Sequence, residues 1–498
     1  MIKYIGAFST QPVFSVAAIR QIEEKLFASA ESSFTVMERA AQALFKHIAI
    51  TWPDAQHFVI LAGSGNNGGD GLLLAILLKQ AGLDVLVLDC ANRPRRGDAL
   101  RAFEALQQAQ VEVALFSADR ACSAAVVVDG VLGIGAKLPL ADNLLTVVRW
   151  INQTKRQGAS VVAIDLPTGV DADTGYAQEC VAADLTISML QIKMGNLLGR
   201  GGTAAGRLIN DSLGSQSLLA AMSFEGEEAH WLDARQLVQK KPCPRYLDSY
   251  KGNYGHVRVV GGDQGYGGAA LMASEAAAKS GAGTIALLTR SEHVQASLVR
   301  NPNVMAFDAF HEKALAVGVR SNSVLVLGPG LGREEWGERL FRRMMALSLP
   351  VVLDADGLFW LAQDADLELP RGSVITPHLG EAARLLGWQV EEIKRSPITA
   401  GQALANRYRC VVVLKGLATL VVNERGDVYI AGKSEPVLSK GGSGDVLSGM
   451  IGATLAYYKD SLEAALMAVS WHNYAAGEMA RNEGVHRGQP YDVLNYLD

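Results

Sequence analysis

Three short runs in the first half of the sequence, and a set of loops in the second, carry residue types that chemistry needs. Gly63-Ser64-Gly65-Asn66-Asn67-Gly68-Gly69-Asp70-Gly71 follows an apolar run and leads into a helical pattern. Glycines there let backbone N–H groups close on a pyrophosphate, and a helix start favours its negative charge. Read only as GxGxxG (Gly63, Gly65, Gly68), with Asp89 near the end of the next apolar run, the spacing fits a dinucleotide fold and a plain tight turn equally well. The paired asparagines and Asp70 are not needed for a turn and tilt the reading toward a site. Asp129 to Gly135 and Asp165 to Asp171 close two further apolar runs. Ligands in open α/β sheets collect beyond the carboxyl ends of strands, so the three loops can share one pocket, although each aspartate alone is as readily a helix cap. In the second half, Gly441-Gly442-Ser443-Gly444-Asp445 precedes a helix over Val446–Tyr458. Free N–H groups at that helix start suit developing phosphate charge, and Asp445 beside them can accept a proton from a hydroxyl; its other reading is a plain N-cap.

Alternating elements must position these loops. Apolar, β-branched runs at His57–Leu61, Asp84–Leu88, Ala125–Val128 and Val161–Ile164 read as buried parallel strands, with helices such as Asp70–Ala81 and Asp98–Ala109 between them. Ser15 heads a periodic stretch (Val16, Ile19, Ile22, Leu26), and Thr35 with Glu38 has capping-box spacing at the head of a second helix. The pattern weakens over Leu213–Glu228. New strands follow at His256–Val260, Thr284–Leu288, Val324–Leu327, Val351–Asp354, Val374–Thr376 and Cys410–Leu414, and Ala418–Asn423 with Val428–Ala431 reads as a hairpin. The fold expected is two α/β domains, one a Rossmann-like doubly wound sheet, without an internal repeat.

Composition narrows the function classes. The 498 residues are 49% hydrophobic and 19% charged with a net charge of −5, which gives no reason to expect nucleic acid as an obligate partner. Five scattered cysteines without a CxxC pair exclude a disulfide framework or a zinc site as the expectation and fit a reducing compartment. No apolar run approaches the roughly 20 residues of a membrane span, and Glu23 and Glu24 argue against a transit peptide. A cytoplasmic protein is expected, self-associating, with small-molecule partners, no nucleic acid and no membrane.

The GNNGGDG run, the DGVLGIG segment and DLPTGVDADTG resemble the NAD(P)H-hydrate epimerases, over nearly all of residues 1–215. The resemblance implies that Asn66, Asn67, Gly68, Gly69 and Asp70 hold the substrate as a loop. Gly133, Ile134, Gly135, Ala136, Lys137, Leu138 and Pro139 would complete the nucleotide cradle, and Asp165 would meet the nicotinamide portion. It further implies a potassium ion on Asn67, Asp129 and Thr168, all able to offer oxygen. Epimerisation at C6 needs an acid/base, for which Asp165 is the candidate, and a charge to steady the intermediate, for which Lys193 is. Lys193 has the alternative reading of a solvated surface lysine. Ser64 stands where the family usually has proline, and Thr168 where serine is common.

The second half resembles the ribokinase-like superfamily and, within it, the ADP- or ATP-dependent NAD(P)H-hydrate dehydratases, over residues 230–498, with 216–229 as linker. The carriers are Gly261-Gly262-Asp263-Gln264-Gly265-Tyr266-Gly267-Gly268-Ala269-Ala270, Gly328-Pro329-Gly330-Leu331-Gly332, Thr376-Pro377-His378-Leu379-Gly380-Glu381 and the GxGD end. By that match Ala269, Gly330 and His378 line the hydrate site, and Lys415, Gly416, Leu417, Ala418, Thr419 and Gly444 hold the adenine nucleotide. Asp445 then meets the substrate hydroxyl, and ADP serves as co-substrate with Mg2+. His378 alone reads as a satisfied loop histidine. Ser443 replaces the usual threonine, Ala270 a frequent proline and Tyr250 a common histidine, which leaves the nucleotide preference open. The combined expectation is repair of NADH hydrate and NADPH hydrate. The first half would interconvert the R and S epimers; the second would dehydrate the S epimer with ADP, releasing AMP and phosphate. The rival is a vitamin-type kinase fused to a nucleotide-binding or scaffold domain. It predicts a phosphorylated product that accumulates, and as a scaffold the first half has no need of Asp165 or the NNGGD run.

Overall fold

The computed structural model describes residues 10–28, 32–217, 229–232, 243–312 and 323–497, with Val238 and Ala314. They form two compact units, one from Pro12 to Ala229 and the other from His230 onward together with Thr10 and Gln11. Most of the linker expected at 216–229 lies outside the described residues.

Strand β1 (Thr10–Val13) edges the second unit's sheet; the first unit opens with helices α1 (Val16–Ala28) and α2 (Ser33–Thr51). Then come β2 (His57–Ala62), α3 (Asn66–Gln80), β3 (Asp84–Asp89), α4 (Gly97–Gln108), β4 (Glu112–Leu115), β5 (Val126–Gly130), α5 (Asp142–Arg156), β6 (Ser160–Ile164), β7 (Leu185–Met189), α6 (Gly199–Ala204) and β8 (Arg207–Asp211). The seven strands β2–β8 pair in parallel in the order β4-β3-β2-β5-β6-β7-β8. Successive strand residues point to opposite faces. Ile60, Ala62, Val126, Val128, Val162 and Ile164 pack against Ile19, Leu44, Leu72 and Leu106 of α1–α4. Val59, Leu61, Val127, Val161 and Ala163 pack against Leu144, Val147 and Ile151 of α5. Burial on both faces explains why these strands are continuous apolar runs, each buried side chain contributing about 1.5–3 kcal/mol of transfer free energy. The cap of α2 differs from the capping box expected at Thr35: Ser32 is the N-cap, its hydroxyl accepting the Thr35 N–H at 3.1 Å. Ser15 does head α1, its hydroxyl accepting the Ala18 N–H at 3.2 Å.

The second unit contains β9 (Ala229–Leu232), β10 (His256–Val260), α7 (Gly267–Lys279), β11 (Thr284–Thr289), α8 (Ser291–Arg300), β12 (Val304–Asp308), β13 (Ser323–Leu327), α9 (Glu335–Met345), β14 (Val351–Leu353), α10 (Asp356–Gln363), β15 (Val374–Ile375), α11 (Leu379–Leu386), α12 (Val390–Arg395), α13 (Pro397–Tyr408), β16 (Val411–Leu414), β17 (Ala418–Val422), β18 (Val428–Lys433), α14 (Ser443–Tyr458) and α15 (Ser461–Glu483). Its eleven-stranded sheet runs β1-β9-β18-β17-β16-β15-β14-β13-β10-β11-β12. Strands β16 to β12 in that order are parallel, and β17 and β18 add the expected hairpin antiparallel. Val257, Val259, Val326, Val352 and Val413 share one core with α7, α14 and α15. The five cysteines are free thiols. Among the described residues no helix is long and apolar enough to cross a membrane.

Candidate active sites

In the first unit the glycine-rich run is a tight turn followed at once by helix. Asn66–Asp70, expected as a loop, form the first turn of α3, with Gly65 as N-cap. Packing decides this: a Cβ on Gly68 would strike the Gly63 carbonyl, and one on Gly63 would strike that of Val131. Without side chains, the turn after β2 closes directly onto the loop after β5.

The loops after β2, β5, β6 and β7 enclose a cavity of about 280 Å³ whose lining includes Asn66, Asn67, Asp70, Gly133, Ile134, Gly135, Asp165 and Lys193, together with Ile19, Glu23, Ser64, Arg93 and Leu190. Ala136, Lys137, Leu138 and Pro139 do not line it, and Gly68 and Gly69 lie buried behind it. Lys193 is 1% exposed, so the solvated-lysine reading is wrong. Its ammonium ion-pairs with Asp165 Oδ1 and donates to the Met189 carbonyl at 2.6 Å. Asp165 Oδ1 also accepts the Met189 N–H at 3.0 Å. Asp165 and Leu190 have φ of +64° and +63°. Such left-handed conformations are strained for residues with a Cβ and gather at functional sites. Burial pushes the Asp70 carboxyl well above the usual carboxylate range, with Asp165 and Glu23 adding to the shift.

Beside this cavity Asp129 is fully buried at the end of β5. Thr168 donates to it twice, hydroxyl to Oδ1 at 2.7 Å and N–H to Oδ2 at 2.8 Å, and accepts the Leu132 N–H at 3.0 Å. Burial raises Asp129 to about 6 against those hydrogen bonds. The Asn67 amide nitrogen is buried without a partner among the described residues, and a Cβ on Gly133 would lie 3.2 Å from its oxygen. The three residues offer a carboxylate, an amide oxygen and a hydroxyl, hard oxygen donors that suit an alkali or alkaline-earth cation rather than Zn2+. Asp89, which the plain dinucleotide reading relied on, is held by Arg95 at 2.7 and 3.1 Å.

In the second unit the polar loops gather at the carboxyl ends of the central parallel strands. The Gly262 and Asp263 N–H groups donate to Pro329 and Gly330 at 3.0 and 2.6 Å, which ties the loop after β10 to that after β13. Gly330 has φ +59°, and a Cβ there would strike the Tyr266 carbonyl and lie 3.2 Å from the Ala269 Cβ. Lys415, after β16, ion-pairs with the buried Asp354, after β14, at 2.7 Å and stands 4.0 Å from Glu381. Gly444 adjoins both Lys415 and Asp354. Burial would lower the Lys415 ammonium, yet Asp354 and Glu381 hold it above its ordinary value. Burial, with Asp354 adding to it, raises Asp445 to about 7. Asp445 is not the N-cap of α14; Gly442 is, at φ +105°. His378 is exposed and caps α11, its Nδ1 accepting the Gly380 and Glu381 N–H groups at 2.9 and 3.3 Å. Leu417 is exposed in the turn after β16, whereas Ala418 and Thr419 are buried in β17. Sequence reasoning missed two members of these sites. Glu23 stands at i+4 from Ile19 beside the periodic face of α1, a signal present in the sequence. Asp354 reads in the sequence only as the end of a strand, and its place in the site follows from its ion pair with Lys415.

Residues 33–195 match the family described as YjeF-related protein N-terminus, and residues 257–497 match NAD(P)H-hydrate dehydratase. The chain is 36% identical to the bifunctional NAD(P)H-hydrate repair enzyme Nnr of Coxiella burnetii over 473 residues, 94% of this chain and 95% of that one. It is also 36% identical to the enzyme of that name from Escherichia coli, over 93% of this chain and 88% of the other. Among solved structures, an ADP/ATP-dependent NAD(P)H-hydrate dehydratase from Bacillus subtilis co-crystallised with ATP/Mg2+ covers 53% of this chain and 95% of its own at 27% identity, with a TM-score of 0.48.

Proposed function

The chain belongs to the bifunctional NAD(P)H-hydrate repair enzymes, and on that premise we propose how its two units divide the work and which residues do it. The first unit interconverts the R and S hydrates; the second dehydrates the S hydrate, so neither epimer is stranded. The observation that carries this division is the presence of two separate clusters in two units. One is the Lys193–Asp165 pair in its cavity, and the other is Asp445 beside Lys415 and Asp354.

In the first cluster Asp165, ion-paired with the Lys193 ammonium at the cavity wall, is placed to take the proton of the C6 hydroxyl. The start of α3, with Asn66 and Asp70 facing the cavity, holds the dinucleotide. In the second, ADP enters as its Mg2+ complex. Asp445 takes the proton of the C6 hydroxyl as its oxygen attacks the β-phosphorus; AMP leaves, and the new phosphate ester is a good leaving group. Its loss with the C5 proton restores the nicotinamide double bond. The Gly444 and Asp445 N–H groups at the start of α14 and the Lys415 charge stabilise the phosphoryl oxygens in flight. The test is to supply mixed R and S hydrate with ADP. Full recovery of NADH absorbance with stoichiometric phosphate release is expected, and a stable phosphorylated product would contradict it.

Asn67, Asp129 and Thr168 are the residues to hold potassium, which would supply the positive charge that the buried Asp129 lacks among its hydrogen-bond partners. Replacing potassium by sodium at constant ionic strength is expected to slow R-to-S interconversion. Asp129→Asn should abolish that cation dependence, since it removes the only carboxylate of the set. Equal rates of both proteins in both salts would refute the ion site.

A further inference from the structure

Helix α1 brings to the first site a carboxyl that the roles above leave unused. Glu23 lines the cavity one turn beyond Ile19, which lines it too. No hydrogen-bond donor among the described residues reaches the Glu23 carboxyl, whereas Asp165 is held by the Lys193 ammonium and the Met189 N–H. The charges facing Glu23 are Lys193 and Asp165, with Arg20 on its own helix; Asp70 of α3 and Arg93 share the cavity. Three carboxyls around one ammonium in a confined space do not all ionise together. Burial raises Glu23 above the usual range, with Asp165 adding to the shift and Lys193 and Arg20 opposing it. Burial therefore favours the protonated form of Glu23 and of Asp70, the two carboxyls that the Lys193 ammonium does not contact.

We propose that Glu23 is a catalytic residue of the epimerase site, the acid that protonates the ring nitrogen of the hydrate while Asp165 accepts the hydroxyl proton. The inference rests on the assignment of interconversion to this unit. The C6 hydroxyl gives its proton to Asp165, and the O–H electron pair forms the C6=O bond. The N1–C6 bond breaks, its pair passes to N1, and N1 takes the proton from Glu23. Rotation about C5–C6 presents the other face of the aldehyde; N1 attacks it, both protons return, and no co-reactant is consumed.

The experiment uses the full-length protein with Glu23→Gln, Glu23→Ala and Glu23→Asp, following R/S interconversion against pH after subtracting the spontaneous rate. Wild type should slow as pH rises through the Glu23 pKa. Glu23→Gln and Glu23→Ala should both lose about 10²-fold or more in kcat and lose that alkaline limb. Glu23→Asp, which keeps a proton on a shorter arm, should regain part of the rate together with the limb. ADP-dependent dehydration of pure S hydrate should be unchanged in all three. Wild-type rates in Glu23→Gln would overturn the proposal, as would slow variants that keep the alkaline limb or a change confined to KM. Absence of interconversion in wild type would instead overturn the assignment of the site itself.

Discussion

Asp445→Asn is expected to slow ADP-dependent recovery of NADH from S hydrate by about 10²–10⁴-fold, the range for removing a positioned general base. R/S interconversion should continue at the wild-type rate. The amide keeps the shape of the side chain at the start of α14 and leaves the Ser448 hydroxyl its bond to the residue 445 carbonyl, so the fold has no reason to suffer. The pH profile carries a second signature. Burial and the neighbouring Asp354 raise Asp445 to about 7, and a base works only when deprotonated. Dehydration should therefore fall about tenfold per pH unit below about 7, and Asp445→Asn should lack that acid limb. Stopped-assay phosphate release from pH 5 to 9 measures both, and a variant with wild-type turnover would remove Asp445 from the chemistry.

The second large effect is expected at the Lys193–Asp165 pair. Asp165→Asn should abolish interconversion by a similar 10²–10⁴-fold while dehydration of pure S hydrate persists. Lys193→Met should do more, because it leaves a carboxylate in a buried place without its cation. Breaking one partner of a buried pair costs about 3–5 kcal/mol, so the first unit should unfold at lower denaturant as well as lose activity. The double variant Asp165→Asn with Lys193→Met removes both charges and should recover much of that stability without recovering interconversion. Denaturation curves of the three variants, read beside their rates, separate charge burial from catalysis. Equal stability of the single and double variants would show that the pair is not a buried one.

Most strands of the two central sheets were legible because a parallel strand covered on both faces has to be an unbroken apolar run. His57–Ala62, Ser160–Ile164 and His256–Val260 are such runs, and the Asn423–Asp427 turn marked its hairpin. The motif loops were legible for a related reason: glycines at Gly63, Gly68 and Gly330 are required where backbone meets backbone, and that demand is local. Strands β4 and β8 were not, since edge positions and partial burial leave weaker patterns.

What the sequence alone determined, then, is which buried apolar segments are strands, which turns require glycine, and which aspartates end them. Only the tertiary structure decided which side chains meet. Asn66–Asp70 became a helical turn because Gly68 seats against Gly63, a contact between chain segments rather than a propensity. Lys193 became a buried partner of Asp165 because strand order places β7 beside β6, 28 residues apart along the chain. Lys415 reached Asp354 across 61 residues in the same way, and Glu23 entered the cavity through the packing of α1. The free energy of a buried charge depends on its distance to every neighbouring charge and on the water excluded between them. Those distances are set when helices close over a sheet, and no stretch of sequence contains them.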